Sequence, residues 1–346
     1  MNGSFFPKLA LLLSLSFFCA PTLRAQADED KPDFSGEKLT GNWEGLRDDL
    51  YQKGFDFDLS YTLNSWRNFT GGNGRGNRVD DNLNLIMAVD GEKALHSKGT
   101  SFKLYLLNNN GGRINDLAAT NGGIDNMEVT THAFKLYEAW VQQSFMDDRI
   151  SILAGLHDLN SEFYVTDTSG LFINPTYGIG TEMAATGDNG PSIFPTTSLG
   201  IRLALKPNES TYLMGAIYDG VSGDPNNQRG THVRFKDKDG ALLVTEGGIQ
   251  DEKIGHFGIG AWEYTAKRPD QLNAAEMKHS KGVYFLADRS FYDDDARDVS
   301  AFARYGFTAG DVEQFHDNLS FGVVLSGFIP SRPDGQLGLA YTTVKQ

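Results

Sequence analysis

One short stretch of this chain brings together the groups that acyl transfer uses. His157 and Ser161 stand four apart beside Asp158 and Glu162, so a base, a hydroxyl and two carboxylates fall within reach of one another. No Gly-x-Ser-x-Gly elbow presents the serine, and polar residues gathered at a strand end give the same pattern without any chemistry. Asp293-Asp294-Asp295 offers oxygen ligands but lacks the spacing of an EF-hand loop, and it reads as a solvated turn. His132, His232, His256, His279 and His316 show no paired spacing. No catalytic residue, metal or cofactor is expected.

A second set of residues suits binding. Strand alternation puts Glu138, Trp140 and Gln142 on one face and Tyr137, Ala139 and Val141 on the other. If the second face meets lipid, a carboxylate, an indole and an amide face water. Glu138 then accepts from sugar hydroxyls and Trp140 stacks on a pyranose, although an indole also serves as an interfacial anchor. Arg202 and Arg304 have apolar neighbours one residue away. A charge facing lipid at mid-depth costs roughly 2–4 kcal/mol, so both are expected to point inward, as a structural ladder, as solute contacts, or as both.

These groups need elements to hold them, and the sequence supplies the elements in order. Lys8, the apolar run Leu9 to Phe18 and Ala25-Gln26-Ala27 form an expected signal peptide over 1–27, cleaved before Asp28. Lipidation at Cys19 is the rival reading, disfavoured by the bulky residues Phe17 and Phe18 before it. Cys19 is the only cysteine and leaves with the leader, which excludes disulfides and thiolate chemistry from the mature chain. The net charge is −14, and removing a leader with two cations and no acid takes it to −16, so nucleic acid is not an expected partner.

Residues 28–54 read as a periplasmic lead-in followed by a helix over Asn42 to Lys53, its stripe of Trp43, Leu46 and Leu50 packing into a core and Gly54 ending it. From Phe55 the period changes to two. Phe55, Phe57, Leu59, Tyr61 and Leu63 alternate with Asp56, Asp58, Ser60, Thr62 and Asn64, and the pattern recurs over Leu199 to Lys206 and Gln336 to Thr342. Beyond the leader no stretch reaches the roughly 18–20 apolar residues of a spanning helix.

Counting every segment gives about thirteen strands. Met146 to Arg149 and Pro207 to Ser210 are tight turns, while Ser65 to Asp81, Asn109 to His132 and His157 to Thr197 are long. Short turns at one end and long loops at the other describe an all-β, antiparallel transmembrane barrel over 55–346. The last of these loops is too long to be idle and is expected to fold into the lumen. There Asp158, Asn160 and Glu162 would face Arg202 and Arg304, with Arg113 in the preceding long loop, forming a constriction of mixed charge suited to small neutral carbohydrates.

Four ordered motifs resemble the OprB family of carbohydrate-selective porins: Leu39 to Arg47, Leu136 to Trp140 with Leu159 to Phe163, Asn189 to Pro195, and Gly327 to Asp334. The resemblance implies a monomeric sixteen-stranded barrel in the outer membrane, inserted by the barrel-assembly machinery and passing glucose-like sugars by diffusion. The chain departs from the family at its end, Val344-Lys345-Gln346, where an aromatic terminus is implied. It is therefore expected to be C-terminally incomplete and not to conduct as a monomer in this form. A secreted all-β carbohydrate-binding protein or polysaccharide lyase is the alternative, and a barrel enzyme the third reading.

Overall fold

A computed structural model describes residues 32, 34, 38–294 and 296–346. The expected leader, its cleavage site, Cys19, most of the lead-in and Asp295 lie outside the described residues. Alternation from Phe55 onward yields one antiparallel sheet of thirteen strands in the order β1 to β13. The first half comprises β1 (Phe55–Asn68), β2 (Gly76–Asp90), β3 (Thr100–Gly111), β4 (Ala133–Phe145), β5 (Ile150–His157) and β6 (Ser198–Leu205). The second comprises β7 (Thr211–Asp219), β8 (Ala241–Asp251), β9 (Gly255–Pro269), β10 (Met277–Asp294), β11 (Arg297–Thr308), β12 (Asp317–Ser326) and β13 (Gln336–Lys345).

The two faces of this sheet are inverted relative to a soluble sandwich. Leu59, Tyr61, Leu63, Ile201, Leu203, Phe285, Phe321, Leu339 and Tyr341 are all exposed, whereas Asn64, Asn82, Glu138, Arg202, Glu246, Arg304 and Ser320 are buried. Outward residues also meet one another across strands, as Phe321 does Tyr341 and Ile201 does Ile217. An outward apolar face with polar groups inside needs hydrocarbon as its outer solvent. The expected barrel wall is therefore present in its strand count, its strand direction and the sense of its faces, while β1 and β13 stand at the two edges of the sheet and do not pair with each other.

The connections are asymmetric, with one correction. The three longest, 112–132, 158–197 and 220–240, lie on one side, and the tight turns 146–149, 206–210 and 252–254 on the other, which also carries the longer connections 91–99 and 327–335. The expected long loop Ser65 to Asp81 is short: β1 continues to Asn68 and β2 begins at Gly76. Its Gly and Asn residues suit a loop, but Asp80 to Gly76 pair in register with Asn64 to Asn68.

The N-terminal helix also differs from expectation. A backbone kink at Glu44, φ 58°, leaves only a short turn and then α1 (Leu46–Gln52). Trp43 and Leu46 are exposed, so the expected stripe is not a core. What the helix buries is Arg47, whose guanidinium lies 4.6 Å from the Phe34 ring centroid and donates to the Phe57 carbonyl.

The apolar core lies inside the sheet, between the loop 158–197 and the inner face of β7 to β10. Leu159, Phe163, Tyr164 and Met183 of the loop pack there against Tyr218, Leu242, Val244, Trp262 and Tyr284. On β8 both faces are therefore apolar near Leu242 and Leu243, one meeting lipid and the other the loop. Placing an arginine at Val323, exposed midway along β12, is expected to cost about 2–4 kcal/mol in chemical unfolding from bilayers. An unchanged unfolding midpoint would mean that this face does not meet lipid.

Candidate functional site

The site is built where inward charges of the wall meet the loop 158–197. Arg202 sits between outward Ile201 and Leu203, so β6 aims it inside, where it is 2 % exposed. Its Nε and Nη2 donate to the two Glu162 oxygens at 2.7 and 2.6 Å. Nη2 also donates to Gln142 Oε1 at 2.5 Å, and Nη1 donates to Ser151 Oγ at 2.6 Å and the Ser151 carbonyl at 3.3 Å. A guanidinium has five N–H groups, and these contacts occupy all of them. Strands β4 and β5 thus converge on the β6 guanidinium that grips one loop carboxylate, and the Glu162 side chain remains 28 % exposed.

His157 ends β5 beside this fork. Its Nε2 is 3.5 Å from Glu162 Oε2 and 3.3 Å from Ser161 Oγ, and its Nδ1 meets the Tyr218 hydroxyl at 2.7 Å. Ser161 donates its hydroxyl to the Asp158 carbonyl at 2.7 Å. The histidine is thus oriented by a phenol where a catalytic triad would use a carboxylate.

Glu138, Trp140 and Gln142 do share the inner face of β4. Tyr137 does not join the outer face as expected. The pairing with β3 slips between Tyr105 and Leu106, so Tyr137 is an extra residue in a β-bulge, and it turns inward together with Glu138. Its hydroxyl donates to Asp158 Oδ2 at 2.5 Å. Glu138 is fully engaged: Lys103 Nζ stands 2.6 Å away, and Trp140 Nε1 donates to it at 3.1 Å. Trp140 is half-buried. Asp158 caps the turn Leu159–Ser161 by accepting the Asn160 N–H at 2.8 Å.

Arg304 forms a separate anchor on β11. It donates to the carbonyls of Tyr164 and Gly178 at 2.7 Å each and to that of Tyr177, and it does not meet Glu162. Asn160 donates to the same Gly178 carbonyl at 3.0 Å, so the two residues tie successive passes of the loop together. Arg113 pairs with Asp116 at 3.4 Å within its own loop 112–132 and is 35 % exposed.

Sequence reasoning missed three wall acceptors and one loop acid. Glu246 on β8 accepts the Tyr164 N–H at 2.7 Å and the hydroxyls of Tyr212 and Tyr284 at 2.8 and 2.6 Å. Asp288 on β10 accepts the Thr168 N–H at 2.7 Å, and Asn318 on β12 that of Thr181 at 3.2 Å. Because β6, β8, β10, β11 and β12 all hold the same loop, the sheet must curl around it. Parity was the available signal: Glu246 shares its face with Leu242 and Val244, so that apolar face cannot be the lipid side.

The loop acid is Glu182, 1 % exposed, which accepts the Tyr164 hydroxyl at 3.0 Å. Burial pushes its carboxyl up to about 7, with Asp317 adding repulsion and Arg304 opposing the shift. Asp158 is likewise pushed up to about 7, by burial and then by repulsion from Glu138.

Residues 74–345 match the carbohydrate-selective porins of the OprB family. The chain belongs to that family. Among curated relatives, this OprB-family chain is similar to Porin B of Pseudomonas aeruginosa, with 22 % identity over 336 residues, covering 88 % of this chain and 73 % of the relative. The high-pH structure of Pseudomonas putida OprB shares its fold at a TM-score of 0.77 and 18 % identity, covering 92 % of this chain and 81 % of that one. The low-pH structure of the same protein matches at 0.57 and 17 % identity, over 88 % and 82 %. An OprB-family porin is an outer-membrane channel for carbohydrate, so the family replaces the readings of secreted binding protein and lyase.

Both raised carboxyls make loop seating depend on pH. A group whose folded value lies above its free value stabilises the fold fully below the free value, and that contribution is lost as pH rises to the folded one. Seating of 158–197 is therefore expected to weaken between about pH 4 and about pH 7 and to level off above. Hydrogen exchange at the Phe163 and Tyr164 amides, corrected for intrinsic rates, should be faster at pH 8 than at pH 5. Glu182→Gln should shrink that difference to what Asp158 alone supplies, and an equal difference in this variant would contradict the assignment.

Proposed function

We propose that this porin, once its sheet is closed into a barrel, passes small neutral sugars such as glucose by passive diffusion, as a monomer, without cofactor or catalysis, after insertion by the barrel-assembly machinery. The observation that carries this reading is the loop 158–197 held across the inner face by paired charges. Two of the charges there form ion pairs, Arg202 with Glu162 and Lys103 with Glu138, while Arg304 and Glu246 are met by neutral carbonyl, N–H and hydroxyl groups. A passage lined by matched pairs attracts neither sign of ion strongly, while its remaining lone pairs and amides serve hydroxyl groups.

The candidate residues then divide by exposure. Arg202, Arg304 and Glu138 are buried; Arg202 and Glu138 are fully engaged and Arg304 is engaged through both terminal nitrogens, so they hold the loop and the wall. Contact with solute falls to the partly exposed groups Glu162, Asn160, Trp140 and Arg113. Asp158 sits beneath them and positions the turn at Asn160. Passage requires weak binding, with millimolar affinity on the order of −4 kcal/mol, which two or three hydrogen bonds and a stacked ring supply.

Liposome swelling tests the proposal. Glucose is expected to enter faster than a disaccharide, and equal rates for both would contradict carbohydrate selection by this constriction. Glu162→Ala should release the loop and narrow the difference, because it strands the Arg202 guanidinium in a buried site at a cost of about 3–5 kcal/mol. Arg202→Ala should do less, since the Glu162 carboxylate already reaches water and regains hydration. The reverse order would mean that the fork is not what holds the loop.

A further inference from the structure

Tyr164 combines four observations that the proposed function leaves unused. Its backbone sits at φ 63°, a left-handed conformation that bulky side chains avoid. It is 1 % exposed, although it belongs to a loop. Its three polar groups are all engaged: the N–H by Glu246, the carbonyl by Arg304 and the hydroxyl by Glu182, at 2.7, 2.7 and 3.0 Å. Its ring stacks on Tyr284 with centroids 4.0 Å apart and planes 10° apart, and the Arg304 guanidinium lies 4.4 Å from its centroid.

The wall is shaped to receive this residue. Any side chain on Gly260 of β9 would strike the Tyr284 ring, so that ring lies flat over bare backbone and offers its other side to Tyr164. A Cβ on Gly306 of β11 would collide with the Glu182 carboxyl and come within 2.5 Å of the Tyr164 hydroxyl. Two glycines on two strands thus leave room for one loop residue and its acid. A disfavoured backbone angle persists where surrounding contacts over-determine it.

We propose that Tyr164 is a specificity-determining positioning residue: its ring, seated between Tyr284 and Arg304, fixes how far the loop 158–197 stands across the lumen and so sets the largest solute that passes. The inference rests on the sugar-channel reading and adds to it the residue that sets the cutoff. Contact with the sugar is not part of the role. Tyr164 acts through the loop it holds.

Two substitutions separate the ring from the backbone. Tyr164→Gly keeps the left-handed angle without strain and removes every ring contact, while Tyr164→Phe keeps the stack and loses only the hydroxyl bond to Glu182. In liposome swelling, Tyr164→Gly is expected to raise the ratio of disaccharide to glucose flux about tenfold in a barrel that still shows heat-modifiable migration. Tyr164→Phe should stay within about twofold of the parent chain. An unchanged ratio in a folded Tyr164→Gly barrel overturns the proposal, as does a Tyr164→Phe ratio equal to that of Tyr164→Gly. If Tyr164→Gly fails to insert, Gly306→Ala displaces the hydroxyl and its acid without touching position 164. It should raise the ratio, and an unchanged ratio there overturns the proposal. Single-channel conductance in potassium chloride reads width without sugar. A rise in Tyr164→Gly, with no sugar flux in the parent chain, would uphold the positioning role and sink the proposed function.

Discussion

A charge or an unpaired backbone group cannot face hydrocarbon without costing several kcal/mol, and this chain is organised around that constraint. Strands must pair with their neighbours, and ionised residues at mid-depth must turn inward. Arg202, Glu246, Asp288 and Arg304 are therefore concentrated on one side of the sheet. Crowded there, they need partners of their own. The loop 158–197 supplies these as a carboxylate for Arg202, N–H groups for Glu246 and Asp288, and carbonyls for Arg304. Narrowing of the lumen follows from satisfying the wall.

The loop is more than a polar strap, because β8 to β10 present Leu242, Val244, Trp262 and Tyr284 to the inside. Those residues would line a water-filled pore poorly, and Leu159, Phe163, Tyr164 and Met183 cover them. Polar anchors fix the direction of the loop while apolar packing holds it against the wall. The two kinds of contact meet at Tyr164, whose backbone bonds to Glu246 and Arg304 and whose ring joins the core. The same crowding explains why two loop carboxyls are held near neutral pH instead of ionising freely as surface acids do.

Much of this was legible in the sequence wherever period two was clean. Leu59 to Leu63, Ile201 to Leu203 and Leu337 to Tyr341 gave the faces directly, and the neighbours of Arg202 and Arg304 gave their direction. The long loop was visible as length alone. The misses have physical causes. A bulge at Tyr137 adds one residue without any compositional mark, so every parity assignment before it is reversed. Trp43 and Leu46 looked like a helical stripe, yet the backbone turns at Glu44 and Arg47 is buried instead. Glu162 and Arg304 were expected to meet, but sequence carries no record of which loop carbonyls an arginine will find. On β8 both faces are apolar for different reasons, lipid outside and loop inside, and alternation cannot distinguish them.

The constriction depends on the loop lying against the inner wall, and one cross-link reads that directly. Thr176 of the loop and Thr342 of β13 place their hydroxyl oxygens 2.9 Å apart. A chain carrying Thr176→Cys and Thr342→Cys together with Cys19→Ser has no competing cysteine. In the folded barrel the two thiols are expected to form a disulfide under mild oxidation, seen as a loss of two mass units and of maleimide labelling. Two freely labelled thiols in a heat-modifiable barrel would contradict the account.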